Sequence, residues 1–157
     1  MSQENKDLIV SFYTAFQNKD AESMVNCYHK DIEFQDPAFG TLKGEHACNM
    51  WRMLMEKSDT SLSIKFSKVQ ADETKGSAYW EAVYKFSKTG RPVNNKIKAL
   101  FKFKEGKIIS HIDSFNIWKW SAMALGPMGM LLGFTPIMKN KIRKQALNAL
   151  VKFESDK

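Results

Sequence analysis

Cysteine is scarce in this sequence: only Cys27 and Cys48 are present, and neither has a second cysteine or a histidine at zinc-ligand spacing. A disulfide framework and a structural zinc are excluded on that count, and two free, buried thiols are expected. Glycine and proline number only eight and four, which excludes collagen-like and low-complexity chains. No apolar run approaches the roughly 18 residues that a spanning helix needs. The opening Met-Ser-Gln-Glu-Asn-Lys-Asp has no apolar signal core, so a cytoplasmic location is the expectation. Acidic residues are scarce in one region: residues 117–157 hold seven Lys or Arg against two acids, five of the net +7 charges. Positive charge confined to one end argues against a nucleic-acid groove and for a local surface.

What is present is a globular composition, 43% hydrophobic and 12% aromatic over 157 residues, enough to bury one core. One domain over residues 1–157 is expected. Leu8, Ile9, Phe12, Tyr13, Ala15 and Phe16 recur at helical spacing and predict a helix over 5–16. Asp20 is an N-cap for a second short helix carrying Met24, Val25, Cys27 and Tyr28 and ending near His29. Residues 32–35 alternate as a strand that Asp36-Pro37 stops, because proline lacks an amide donor. Residues 39–44 read as a turn, and Ala47, Met50, Trp51, Leu54 and Met55 mark a third amphipathic helix from Glu45.

The period then changes to two. Residues 62–66, 79–86, 97–103 and 108–115 predict four strands of a meander, with turns at 89–92 and 105–106. Helices first and strands afterwards give an α+β fold: a cone-shaped, curved antiparallel sheet packed on three helices around an apolar pocket. This core covers about residues 5–118, and 119–157 is a helical extension. In the extension 118–125 is helical, Gly126-Pro127-Met128-Gly129 is a break, and 136–153 is a last helix with Lys139, Lys141, Arg143 and Lys144 on its polar side.

Strand parity selects the candidate site. Ile109, His111, Asp113 and Phe115 share one face of the last strand, with His111 and Asp113 about 6.5–7 Å apart along it. In an apolar cavity a carboxyl's pKa rises toward the range useful for acid–base chemistry, and a histidine titrates near neutrality. Trp80, Ala82, Tyr84 and Phe86 share a face, as do Ile97, Ala99, Phe101 and Phe103. With Phe12, Tyr13 and Phe16 from the first helix and Trp51 and Met55 from the third, the expected lining is aromatic and apolar, with the Tyr84 hydroxyl as one polar handle. The expected ligand is a small, mostly apolar molecule, handled without metal or organic cofactor.

The run Phe12-Tyr13-Thr14-Ala15-Phe16-Gln17-Asn18-Lys19-Asp20, then Ile32-Glu33-Phe34-Gln35-Asp36-Pro37 and Gly44, is followed in order by Phe101-Lys102-Phe103, Gly106-Lys107-Ile108 and His111-Ile112-Asp113. Over about residues 5–118 this series resembles the SnoaL-like and ketosteroid isomerase-like proteins of the nuclear transport factor 2 superfamily. The resemblance implies a cone-shaped fold and, by family habit, a homodimer formed through an open sheet face. It puts the ketosteroid isomerase base on Asp36. It puts the oxyanion-hole tyrosine on Phe12, with Tyr13 one residue and about 100° away, and the assisting acid on Ala99, so that constellation is incomplete. The Arg and Asp of limonene epoxide hydrolases fall on Ile97 and Ala99, leaving only Asp113 matched. The pocket aspartate of SnoaL-like cyclases is the best analogy. It implies Asp113 as acid/base, His111 as its partner, Asp36 as a second carboxylate and Tyr84 as a hydrogen-bond donor, in isomerisation, cyclisation, dehydration or hydrolysis.

Plainer readings stand beside these. Asp36 before Pro37 also suits an Asx-turn; His111 and Asp113 also suit a structural pair, or a solvent-facing one if the parity is inverted; the aromatic lining also suits an ordinary core. A non-catalytic module that binds an apolar ligand or dimerises is the alternative to an enzyme. Met123, Met128, Met130, Leu131, Leu132, Phe134 and Met138 make a lid over the cone, a dimer contact or a membrane-touching patch, a lid or packing role being preferred. The basic face of the last helix is expected to be plain solvated surface rather than a membrane contact.

Overall fold

The computed structural model describes residues 2–133 and 135–157. Helix α1 (Gln3–Gln17) begins where the Ser2 hydroxyl accepts the Asn5 amide at 3.2 Å, and α2 (Ala21–Asn26) where Asp20 accepts the Ser23 amide at 3.1 Å. Strands β1 (Tyr28–Asp36) and β2 (Gly40–Lys43), helix α3 (Glu45–Lys57), and strands β3 (Ser63–Ala71), β4 (Lys75–Lys85), β5 (Pro92–Lys104) and β6 (Lys107–Ser114) follow. Helices α4 (Ile117–Leu125), α5 (Pro127–Leu132) and α6 (Pro136–Ser155) complete the order.

The six strands form one curved, unclosed sheet in the order β2-β1-β6-β5-β4-β3, with helices packed against it. Its pairs are antiparallel except β1 with β6, which run parallel. The expected antiparallel meander is formed by β3 to β6, and β1 joins its edge in parallel. The two parallel strands are joined by the long excursion through α3 and the meander, which parallel pairing requires and a hairpin cannot supply. The residues read as a turn at 39–44 contain β2, whose Leu42 pairs with Phe34. The second helix also ends earlier than its apolar stripe suggests. Cys27 is its C-cap and its carbonyl accepts the Ile108 amide at 2.9 Å, so Tyr28 and His29 are drawn into β1.

Inward parity on β5 is strict: Val93, Asn95, Ile97, Ala99 and Phe101 are buried and the intervening residues are exposed. On β6 a bulge intervenes. Lys102 pairs with Ser110 but Phe103 pairs with Ile108, which leaves Ile109 as the extra residue. Ile108, and not the expected Ile109, is therefore fully buried along with His111 and Asp113. Both cysteines are free and buried.

The extension is anchored at several points. The β4–β5 hairpin caps the C-terminus of α4: Thr89 Oγ1 donates to the Ala124 carbonyl at 2.6 Å and Arg91 Nε to the Met123 carbonyl at 3.0 Å. Helix α6 starts at Thr135, which accepts the Met138 amide, with Pro136 in its first turn. Near its end, Glu154 Oε2 receives His46 Nδ1 and Asn49 Nδ2, both at 2.8 Å, from α3.

The Gly-Pro stretch expected only to break the chain holds α5, with Pro127 at its first position. Of the methionine-rich stretch, Met138 is buried and Met123 half-buried, whereas Met128, Met130, Leu131 and Leu132 are exposed; Phe134 lies outside the described residues. Helix α5 meets α4 through Gly129, where an added Cβ would stand 2.0 Å from the Ser121 carbonyl oxygen. Gly129→Ala is thus expected to lift α5 off α4. Amide exchange measured by mass spectrometry should show protection lost over residues 117–133 while β4, β5 and β6 keep theirs. Among the described residues no helix is long and apolar enough to cross a membrane.

Candidate active site

A cavity of about 370 Å³ lies between the sheet, α3, α4 and α6. Of the residues expected to line it, Phe16, Trp51, Met55, Trp80, Tyr84, Phe86, Phe115, Asp36 and Asp113 do so. Phe12, Tyr13, Ala99, Phe101 and His111 do not; they are packed behind the wall in the core. The reason is the imidazole of His111, which consumes those aromatic faces. Phe101 sits 4.6 Å from it, Phe34 stands edge-on at 5.1 Å and Phe12 edge-on at 5.4 Å, and Trp51 stacks at 6.2 Å and 16°. Tyr13 stacks on Phe66 at 5.4 Å. Its hydroxyl is shut off from solvent without a hydrogen bond. Burial, with the charge of Asp113 added, pushes its pKa well above the usual phenol value.

His111 links the core to the cavity. Trp51 Nε1 donates to the Tyr28 hydroxyl at 2.8 Å, that hydroxyl lies 2.8 Å from His111 Nδ1, and His111 Nε2 lies 2.9 Å from Asp113 Oδ1. Trp80 Nε1 donates to the same Asp113 oxygen at 3.2 Å. An indole N–H can only donate, so the Tyr28 oxygen accepts from Trp51 and its own proton goes to Nδ1. In this tautomer Nδ1 of His111 accepts from Tyr28 and the proton on Nε2 is donated to Asp113 Oδ1, so both ring nitrogens have partners. His111 is fully buried and Asp113 is 4% exposed. Asp113 lines the cavity with Oδ1 holding both donors, so Oδ2 remains for a ligand.

Asp36, at the end of β1, is half-buried in the same cavity wall. Its Oδ1 accepts the Phe39 amide at 2.6 Å, the Asx-turn geometry. The turn and pocket readings thus hold together in one residue. Burial pushes its carboxyl up to about 7; the Phe39 amide opposes the rise, and the neighbouring Asp113 adds to it. The Tyr84 hydroxyl accepts Trp120 Nε1 at 2.8 Å, which leaves its own proton to donate, and burial raises its pKa.

Contributors from β1, β5 and the C-terminal extension escaped the sequence reading. Tyr28 was assigned to a helix stripe, although its parity with Ile32 and Phe34 was a usable signal. Asn95 is buried on β5 in the cavity wall, and its side chain has no hydrogen bond among the described residues. The alternation of β5 would have found it had the strand been started at Pro92. Trp120 and the α6 residues Ile142, Ala146 and Ala149 also line the cavity. The extension therefore closes the wall through α4 and α6, and none of the described residues of the methionine-rich stretch lines it. No group of three or more His, Cys, Asp or Glu side chains placed to hold a metal ion occurs among the described residues.

Residues 9–111 match the sequence profile of the SnoaL-like domain. The chain belongs to the SnoaL-like domain family. Solved structures similar to this SnoaL-like domain share its fold at low identity. A candidate polyketide cyclase from Xanthomonas campestris pv. campestris superposes with a TM-score of 0.62 at 18% identity, covering 77% of this chain and 96% of its own. An epoxide hydrolase of the limonene epoxide hydrolase-like kind from M. tuberculosis gives 0.63 at 15%, covering 83% and 96%. A de novo designed protein with a curved β-sheet gives 0.62 at 17%, covering 94% and 98%. No curated protein matches the sequence. One scaffold is thus shared by a candidate cyclase, a hydrolase and a designed chain, so the chemistry of this SnoaL-like domain has to be argued from its own cavity.

Proposed function

We propose that the protein is a cofactor-independent proton-transfer enzyme acting on a small, mostly apolar carbonyl compound, as an isomerase or cyclase. The observation that carries this reading is Asp113. It is a carboxylate in the wall of an apolar cavity, with one oxygen fixed by His111 and Trp80 and the other left to the ligand. Asp113 takes a proton from the carbon beside the carbonyl. The Tyr84 hydroxyl, or the protonated Asp36, donates a hydrogen bond to the oxygen on which charge develops. The same proton returns to a second carbon, or to the alkoxide left when the carbanion has closed a ring, so atoms balance without a co-reactant. His111 acts through Asp113 as a positioning residue, and the Asn95 amide is free to orient the substrate. Two carboxyls line one cavity, Asp113 with one oxygen fixed by two donors and Asp36 pushed up by burial, and they divide the base and acid roles between them.

A binding module is the second reading. It is favoured by Ile97 and Ala99, whose inward side chains give the cavity no charge where the hydrolase and isomerase constellations need one. Tryptophan fluorescence and turnover assays over a set of small apolar ketones separate the two readings. Asp113→Asn is expected to bind within a few-fold of wild type and to lose about 10²–10⁴ of turnover. Saturable binding by both proteins with no turnover by either would make the protein a carrier.

A further inference from the structure

Helix α5 is amphipathic the wrong way round for a helix covered only by its own chain. Its glycines face inward: a Cβ on Gly129 would strike the Ser121 carbonyl, and one on Gly133, just past its end, would come within 2.8 Å of the Ser121 Cβ and 3.1 Å of Trp118 Cδ1. Its large apolar residues face outward: Met128 and Met130 are 58% exposed, Leu131 70%, and Ile137 at the start of α6 81%. Neighbouring apolar side chains exposed to this degree mark a contact surface.

Charge indicates what covers it. Between Asp113 and Glu154 the sequence has no acidic residue, against six Lys or Arg. Lys141 and Lys144 follow Ile137 at helical spacings of four and seven, so they share its stripe of α6, and both are exposed, as are Lys139 and Lys119. Arg143 is turned the other way, toward the Pro37 carbonyl. We propose that this face, Met128, Met130, Leu131 and Ile137 with Lys141 and Lys144 on the same stripe of α6, docks in the interface of an anionic lipid bilayer. The apolar side chains enter the acyl boundary while the lysine stems lie along it with their ammonium groups at the headgroups. A second copy is disfavoured as the occupant, because pairing the patch with itself would bring these lysines together without an acid between them. The sequence reading preferred plain solvated surface over a membrane contact; the outward apolar side chains of α5 change that preference.

Co-sedimentation of the full chain with phosphatidylcholine vesicles, with and without phosphatidylserine, tests the assignment. Wild type is expected to sediment with the anionic vesicles, and raising salt from about 0.1 to about 0.5 M should weaken binding on the order of tenfold or more. Lys141→Gln/Lys144→Gln is expected to weaken it by about fivefold per charge. Leu131→Asp/Ile137→Asp, on side chains too exposed to disturb folding, should abolish it with the circular dichroism unchanged. Failure to bind anionic vesicles, or binding that ignores the Asp substitutions, would overturn the assignment. So would an oligomer seen by light scattering that the Asp pair dissociates while no vesicle binding occurs, which would mark the patch as a copy-to-copy interface.

Discussion

His111→Leu is expected to destabilise the protein by about 3–5 kcal/mol, the cost of stranding one member of a buried pair. In a chain of this size that corresponds to a fall in melting temperature on the order of 10 °C. The imidazole is fully buried and has a partner on each nitrogen, Tyr28 at 2.8 Å and Asp113 at 2.9 Å. Leucine fills the volume but leaves the Asp113 carboxylate with the longer Trp80 bond alone and the Tyr28 hydroxyl proton without an acceptor. Most of the penalty is therefore desolvation of orphaned groups rather than lost attraction. The double variant His111→Leu/Asp113→Leu should accordingly cost clearly less than the sum of its single variants in denaturant unfolding. Additive costs would mean that the two residues are packed side by side without being coupled.

The same geometry unites two readings of the dyad that sequence left as rivals. A satisfied structural pair and a carboxylate open to a ligand are one arrangement here. Oδ1 of Asp113 is spent on structure, and its other oxygen is free in the cavity. His111 contributes by fixing that carboxylate from behind, inside an aromatic box that admits no ligand.

Parity was legible wherever a strand was regular. Trp80, Ala82 and Tyr84 on β4, and Ile97, Ala99 and Phe101 on β5, face inward as their alternation requires. It failed at the β6 bulge, where an extra residue inverts the alternation and Ile108 replaces Ile109, because a bulge is set by pairing with β5 and β1 and not by the strand's own pattern. Tyr28 was missed for a related reason: its strand character comes from β6 alongside, a partner eighty residues away in sequence. Which inward residues reach the cavity was not legible either. Phe12 and Phe101 point inward as expected, but His111 occupies their faces. The wall is completed instead by Trp120 and Ile142, from an extension whose docking no local pattern encodes. The family resemblance read over residues 5–118 covers the whole of the profile match at 9–111 and stops short of that wall.

Asp36→Asn is expected to stabilise the protein at pH 8 and to leave it nearly unchanged near pH 4. Burial in the cavity wall pushes the Asp36 carboxyl up to about 7 in the folded protein, whereas in the unfolded chain it returns to about 3.9. Between those values the native state holds a proton that the unfolded state has released, so stability falls as pH rises through the window and levels off above about 7. The loss is on the order of a few kcal/mol. Asparagine removes the ionisation and keeps an oxygen to accept the Phe39 amide, so the turn at 36–39 survives the change. The difference in melting temperature between variant and wild type should therefore grow from about zero at pH 4 to a clear gain at pH 8. In the active protein the same titration sets the basic limb: if protonated Asp36 is the proton donor, kcat/KM falls as pH passes about 7, where that form is lost. A melting-temperature difference that stays flat across pH would show Asp36 ionised throughout. The acid role would then pass to Tyr84, whose pKa burial moves upward, away from neutrality, so it would act as a hydrogen-bond donor over the whole range.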